Sequence, residues 1–424
     1  MNINDKYIVT SSEYPQFFDH VNNQKVLKKQ FDLDKQGNLY RYPVNDKFFY
    51  VWETDTNKIV TNLSDYNSVF NKKTGYTATY GLCEADDVTW CPLGPEILDL
   101  EISVNGCPKV GGKNCRFCYK NNTDAPAKNM SFETFKNIID KFPKSLYSVA
   151  FGITGVRTNP DFPKMLEYCR SVGIIPNYTL SGADINETVV EATAKYCGAV
   201  AVSCYEGNKE LCYNTIDTFA KHAPRVHVNM HIVLSKGTLN HVMDVLNDLK
   251  ATRSVTRNIK VNKYNFSMAY KVPEDPRLEH LRHVVFLRIK PVGRASKLDT
   301  DVDLDIFKKV ITFCKENHIG YGFDSCSAKD VETVMINSGD TEASKYCQSC
   351  ESTTQSIYVS CDGLMIPCSF CENHFKDRSL NLADIGEFDF IKEWSNNAVL
   401  NDFRNRMKDK HGQCPMFNLS ANKQ

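Results

Sequence analysis

Seventeen cysteines in a chain of 424 residues are the side chains here best able to do chemistry. Three stand close together at Cys107, Cys115 and Cys118. Seven more follow at Cys326, Cys347, Cys350, Cys361, Cys368, Cys371 and Cys414. Thiolates are soft ligands that suit zinc and iron–sulfur clusters. A disulfide framework belongs to short secreted chains. This chain is long, and its start, Met1-Asn-Ile-Asn-Asp-Lys, carries no basic-then-apolar signal pattern. Metal ligation in a cytoplasmic setting is therefore the expectation. In Cys107-x7-Cys115-x2-Cys118, three thiolates would leave one iron of a four-iron cluster open to a small molecule. Zinc completed by a distant fourth ligand such as Cys91 is the competing account. Cys347-x2-Cys350-x17-Cys368-x2-Cys371 is also a good ribbon-type zinc spacing.

The elements that must position these groups fall into three segments. Residues 1–94 read as strand-rich: Lys47–Trp52, the turn Thr54–Asn57 and Lys58–Val60 form a hairpin pattern. Asp32-x-Asp34-x-Gln36-Gly37 resembles the start of a calcium loop, but its twelfth position is Pro43, so a turn is expected. Residues 95–325 alternate strand and helix. Strand patterns begin at Ile97, Ser148, Ile174, Ala199, Val226 and Val284, with helices between and a longer insertion before the last. Asp184 and Glu187 stand at a capping-box spacing. Six such units predict an α/β fold with a parallel sheet and helices outside. Functional residues should lie at the C-terminal strand ends. Residues 326–424 form a Cys-rich extension. Cys169, Cys197, Cys212 and Cys314 fall in or at the ends of predicted helices and read as core thiols.

A thiolate loop straight after the first of six strands resembles the radical S-adenosylmethionine (SAM) superfamily, whose fold is a partial (β/α)6 TIM-like barrel. Phe117 matches the aromatic position of that family's cysteine loop, while the seven-residue gap after Cys107 departs from its usual three. Ala150-Phe-Gly-Ile-Thr-Gly-Val resembles the second-strand motif that contacts the SAM amino group, although its usual acidic residue is missing. Leu180-Ser-Gly, Val202-Ser-Cys-Tyr-Glu-Gly and Lys290-Pro-Val-Gly-Arg-Ala resemble later strand ends of the family. The resemblance thus implies a SAM-binding [4Fe-4S] cluster on Cys107, Cys115 and Cys118. It implies SAM contacts at Phe117, Gly152, Thr154, Gly155, Ser181, Ser203, Asn229, Pro291 and Gly293. Cys350-x12-Gly363-x4-Cys368 is similar to the SPASM or twitch extensions that hold auxiliary clusters. One or two such clusters on the seven later cysteines are implied.

The implied reaction is reductive cleavage of SAM and hydrogen abstraction from a substrate by the 5′-deoxyadenosyl radical. By resemblance to the SPASM group, the substrate is a peptide or protein, with a flavodoxin- or ferredoxin-type electron donor. A small molecule or nucleotide is the alternative substrate. A non-catalytic zinc or iron–sulfur protein is the alternative of another class. Tyr205, Glu206 and His231 are candidates for the substrate side, and Arg288 and Arg294 could bind a carboxylate. Lys+Arg and Asp+Glu balance at 51 each, which argues against a nucleic-acid partner. No run approaches the roughly 18 apolar residues of a membrane span.

Overall fold

The computed structural model describes residues 3–9, 14–30, 37–261, 264–298, 302–409 and 413–417. The turn expected around Asp32, Asp34 and Gln36 lies outside them.

The N-terminal segment carries two helices, α1 (Tyr14–Asn23) and α2 (Lys25–Gln30), beside an antiparallel meander. Its strands are β1 (Asn38–Val44), β2 (Lys47–Glu53), β3 (Asn57–Thr61), β4 (Asn67–Asn71) and β5 (Thr77–Tyr80). The expected hairpin is β2–β3, with Tyr50 opposite Thr61. This sheet docks on the barrel through Phe70, whose ring stacks on Tyr147 at 4.2 Å. Beneath that contact Glu53 meets three lysines: Lys72 at 2.9 Å, Lys58 at 3.1 Å and Lys144 at 3.5 Å. Burial opposes the Glu53 charge, but the three cations overcome it and hold its pKa down to about 2. Burial pushes the Lys58 pKa down to about 7. Glu53→Gln would strand buried cations and is expected to cost about 3–5 kcal/mol, read by urea unfolding at pH 7. A depressed carboxylate stabilises above its unfolded value near 4.3, and that stabilisation is lost as pH falls through about 2.

The second sheet begins with β6 (Ile97–Glu101), followed by a two-residue ribbon, β7 (Ser103–Val104) and β8 (Lys128–Asn129), at the neck of the cysteine loop. Next come α3 (Phe132–Ile139), β9 (Ser148–Gly152), α4 (Phe162–Ser171), β10 (Ile175–Leu180), α5 (Glu187–Tyr196), β11 (Ala199–Cys204), α6 (Lys209–His222), β12 (His227–Leu234) and α7 (Leu239–Asp248). The insertion is an antiparallel hairpin, β13 (Ala251–Val261) and β14 (Tyr264–Pro273). β15 (His283–Arg288), α8 (Leu304–Glu316) and a short seventh strand, β16 (Tyr321–Phe323), complete the parallel series. The order β16-β15-β12-β11-β10-β9-β6 is sequential, as in a partial barrel, and β6 and β16 do not pair. Local chemistry sets the helices. Ser131 caps α3 by accepting from Thr134 N, and its apolar face buries Phe135, Ile138 and Ile139. Rings of Phe135, Phe151, Phe162 and Tyr178 follow one another at 5.1–5.8 Å between helices and sheet.

The C-terminal segment is not a separate appendage. After α9 (Ala328–Asn337), β17 (Ser356–Val359) joins β6 in parallel, with Ile357 beside Leu98. β18 (Leu364–Ile366) and β19 (Leu380–Asn381) extend that edge antiparallel.

Candidate active site

Asn105 and Gly106 turn the chain after β7 with φ of 60° and 63°. Gly106 N donates to Ala125 O at 2.7 Å and Cys107 N to Thr123 O at 2.9 Å, so both ends of the loop are tied. Inside it, Cys107, Cys115 and Cys118 are half-buried and near one another. Burial pushes the Cys107 thiol up to about 11, with Cys115, Cys118 and Asp184 adding and Arg294 opposing. The Cys115 pKa is raised by burial and Cys118. Crowded thiolates of this kind repel one another unless a cationic body sits among them.

Arg294 holds the loop from across the barrel. Its backbone N donates to Cys118 O at 3.1 Å, Nε to Cys115 O at 2.9 Å and Nη2 to Asn122 O at 2.7 Å. Gly293 (φ 61°) permits this approach, because a Cβ there would lie 2.5 Å from Tyr119 O. The sequence offered Arg294 only as a carboxylate ligand. Arg288 takes the commoner role of such a residue, an ion pair, here with Asp330, and lies over the Phe417 ring. On the other side of the loop, Lys120 pairs with Glu101 at 3.1 Å and with Glu372, and donates to Tyr358 Oη at 2.9 Å. The loop is thereby fixed to β6, β17 and the C-terminal segment together.

The expected capping box at Asp184 is not formed. Asn186 caps α5 by accepting from Val189 N at 2.9 Å. Asp184 instead turns toward the loop: its Oδ2 accepts from Arg157 N at 3.0 Å and would lie 2.6 Å from any Cβ on Gly155. Its buried Oδ1 has no hydrogen-bond partner among the described residues. A carboxylate beside the second-strand motif is the group whose absence the sequence pattern suggested. It was missed because it comes from the next strand's loop.

A cavity of about 450 Å3 opens beside the loop, within the usual size of a ligand site. Asn114, Arg116 and Phe117 line one wall, and Cys204, Tyr205, Glu206 and His241 the other. Phe117 and Tyr205 rings are 5.0 Å apart, and Arg116 reaches Glu206 at 3.3 Å. Cys204 Sγ is 3.9 Å from His241 Nε2, and together with Cys212 this lowers the Cys204 pKa. Of the remaining expected contacts, Thr154 Oγ1 donates to Asn105 O at 2.6 Å, and Gly152 pairs with Glu101 at the end of β9. Ser203 stands at the end of β11, Ser181 just past β10, and Pro291 just past β15. His231 lies inside the barrel with Nδ1 3.3 Å from Thr179 Oγ1, and burial pushes its pKa down to about 4. Asn229 lines a different cavity, at the opposite end of the strands.

Five of the seven later cysteines come together. Cys368 and Cys371 sulfurs are 3.6 Å apart. The Cys414 pKa is raised by Cys326 beside it and by burial, and the Cys350 pKa is raised by burial and by Cys326 and Cys368. Burial opposes the Lys290 charge, but Tyr119, Cys326, Asp324 and Cys368 around it raise its pKa overall. Cys347 turns to Ala343 O at 3.9 Å, and Cys361 to Lys128 O at 3.5 Å within the barrel core. The β17–β18 hairpin at Gly363 brings Cys368 back beside Cys350, as its spacing predicts. Tyr119 Oη lies 3.0 Å from Ser369 Oγ, joining the neighbours of Cys118 and Cys368. Among the described residues no three His, Cys, Asp or Glu side chains converge as ligands of a single ion do. The thiolates of an iron–sulfur cluster surround a larger inorganic body and stand further apart.

This fold has counterparts among solved structures. The chain is similar to SuiB of Streptococcus suis bound to precursor peptide SuiA, with TM-score 0.54 and 13% identity over 74% of this chain and 67% of that one. It is equally similar to SuiB bound to S-adenosylmethionine, with TM-score 0.54 and 13% identity over 74% and 68% of the two chains. No family model and no curated protein sequence matches the chain.

Proposed function

We propose that the chain is a radical SAM enzyme acting on a peptide or protein. The observation that carries this reading is the gathering of three thiols after the first barrel strand, with an unpartnered buried carboxylate oxygen of Asp184 beside them. Cys107, Cys115 and Cys118 would hold a [4Fe-4S] cluster, leaving its fourth iron for SAM. When bound, that cluster supplies the electron that cleaves SAM reductively to a 5′-deoxyadenosyl radical. Asp184 would accept a hydrogen bond from the SAM ammonium, Phe117 and Tyr205 would wall the adenosine, and Lys120 and Arg294 keep the loop in register. Tyr205 and Glu206 face that cavity and stand as candidates for the substrate side, whereas His231 acts from inside the barrel.

Cys326, Cys350, Cys368 and Cys414 supply the four thiolates of one auxiliary cluster, with Cys371 as a fifth thiol at its side. The grouping favours one such cluster over two. A peptide substrate is supported by the precursor peptide bound to SuiB on the same fold. A flavodoxin- or ferredoxin-type donor in the cytoplasm completes the reading. No described helix is long and apolar enough to cross a membrane.

Anaerobically reconstituted protein with dithionite and SAM is expected to form 5′-deoxyadenosine. Stoichiometric zinc with no iron, and no deoxyadenosine, would sink the proposal. Arg294→Lys cannot donate to two carbonyls in a fixed fork. We expect its iron to pass to a chelator about tenfold faster, from loss of hydrogen bonds worth about 1 kcal/mol each, while far-UV circular dichroism stays unchanged.

A further inference from the structure

At the end of the barrel away from the cysteines, a cleft of about 320 Å3 separates the β4–β5 hairpin from the first residues of the parallel strands. Lys72 and Lys73 reach it from the hairpin; His227, Arg282 and His283 come from the starts of β12 and β15. Ser148, Asn177 and Asn229 supply a hydroxyl and two amides from β9, β10 and β12. No carboxylate lines the cleft. Glu53, on β2, already faces three lysines, Lys72 of this cleft among them. Among the described residues Lys73 and Arg282 have no acidic partner. The buried Asn229 Oδ1 has no hydrogen-bond partner among the described residues and, being an acceptor, is open to a hydroxyl of the ligand rather than to its charge. Barrel floors normally serve stability alone, and concentrating cations without counter-charge there costs free energy through mutual repulsion. An anion in the cleft would remove that repulsion.

We propose that this cleft binds a small ligand bearing two or more oxyanion charges, such as a phosphorylated or polycarboxylated molecule. The volume exceeds a single phosphate and suits a compact metabolite. Arg282 offers a planar donor fork and Lys73 a point charge, while Lys72 is held by Glu53 at 2.9 Å and by Thr54 O at 2.8 Å. The site is separate from the SAM cavity and does not rest on the reaction proposed above.

The pH dependence follows from the groups that face the two histidines, namely Arg282, Lys72, Lys73 and each other. Burial lowers the His227 pKa, with Arg282 and His283 adding. Burial and Arg282 lower that of His283. A bound dianion favours the protonated rings, so protons are taken up on binding and affinity rises as the pH is lowered toward the depressed range in which these rings protonate.

Calorimetric titration of the full-length protein with sulfate, which stays dianionic over the range used, tests this directly. Saturable binding that tightens about tenfold between pH 7.5 and 5.5 is expected, one pKa unit being tenfold. Pyrophosphate and citrate, titrated at pH 7 against matched potassium chloride, distinguish a phosphoryl from a carboxylate preference. Arg282→Gln and Lys73→Gln, both at exposed positions, should each weaken sulfate about tenfold or more, as expected for a charge-assisted contact. Asp184→Asn should leave sulfate binding unchanged. Absence of saturable binding for all three anions, or wild-type affinity in both Gln variants, would overturn the proposal whatever the outcome with SAM.

Discussion

Replacement of any one of Cys107, Cys115 and Cys118 by alanine should abolish 5′-deoxyadenosine formation and remove about four irons per chain, one [4Fe-4S] complement. The auxiliary thiols lie on other segments, around Cys326, Cys350, Cys368 and Cys414. Their iron should therefore remain, leaving a reduced but not absent charge-transfer absorbance near 400 nm. Conversely, Cys350→Ala should remove the other complement. Iron analysis after anaerobic reconstitution reads both results. Equal iron in wild type and all three loop variants, or normal deoxyadenosine yield in any of them, would show that these thiols do not hold the reactive cluster.

Asp184→Asn makes the second large change. It preserves shape and can still accept from Arg157 N, so the loop and its iron should be unaffected. On the proposed function it removes one charge-assisted hydrogen bond to the SAM ammonium, worth about 1.5–3 kcal/mol. SAM affinity, measured by equilibrium dialysis on reconstituted protein, is then expected to fall about 10–150-fold. An unchanged dissociation constant would reassign the carboxylate to loop structure alone.

Much of the architecture was readable because it repeats locally. Alternating strand and helix patterns placed six parallel strands within a few residues of their observed ends, and the cysteine loop falls just past the first of them. The neighbours that complete the site were not readable. Arg294 reaches the loop from 172 residues beyond Asn122, and no local period records such a contact. Asp184 was masked by a local signal, since its spacing to Glu187 mimics a cap that Asn186 actually makes. Strand alternation gives the face of a residue but not its depth along the strand. Asn229 and His231 share a face, yet Asn229 pairs with Ala201 and His283 near the strand starts, while His231 pairs with Ser203 two residues further up. The same limit applies to the later cysteines. Spacing grouped seven, but Cys361 lies just past β17 in a turn whose sulfur points to the barrel core.

The pairing of β17 with β6 has a consequence for how the protein is made. The first barrel strand emerges from the ribosome well before one of its neighbours, since Leu98 pairs beside Ile357, 259 residues later in the chain. Until that partner arrives, β6 offers a bare row of amide and carbonyl groups, an invitation to intermolecular pairing. A nascent chain that stops short of β17 therefore carries an unprotected edge beside an unfinished cysteine loop, because Tyr358 and Glu372 also steady Lys120. Synthesis should thus favour late closure, with metal loading deferred until β17 has emerged. Premature termination should yield aggregates rather than a smaller working barrel.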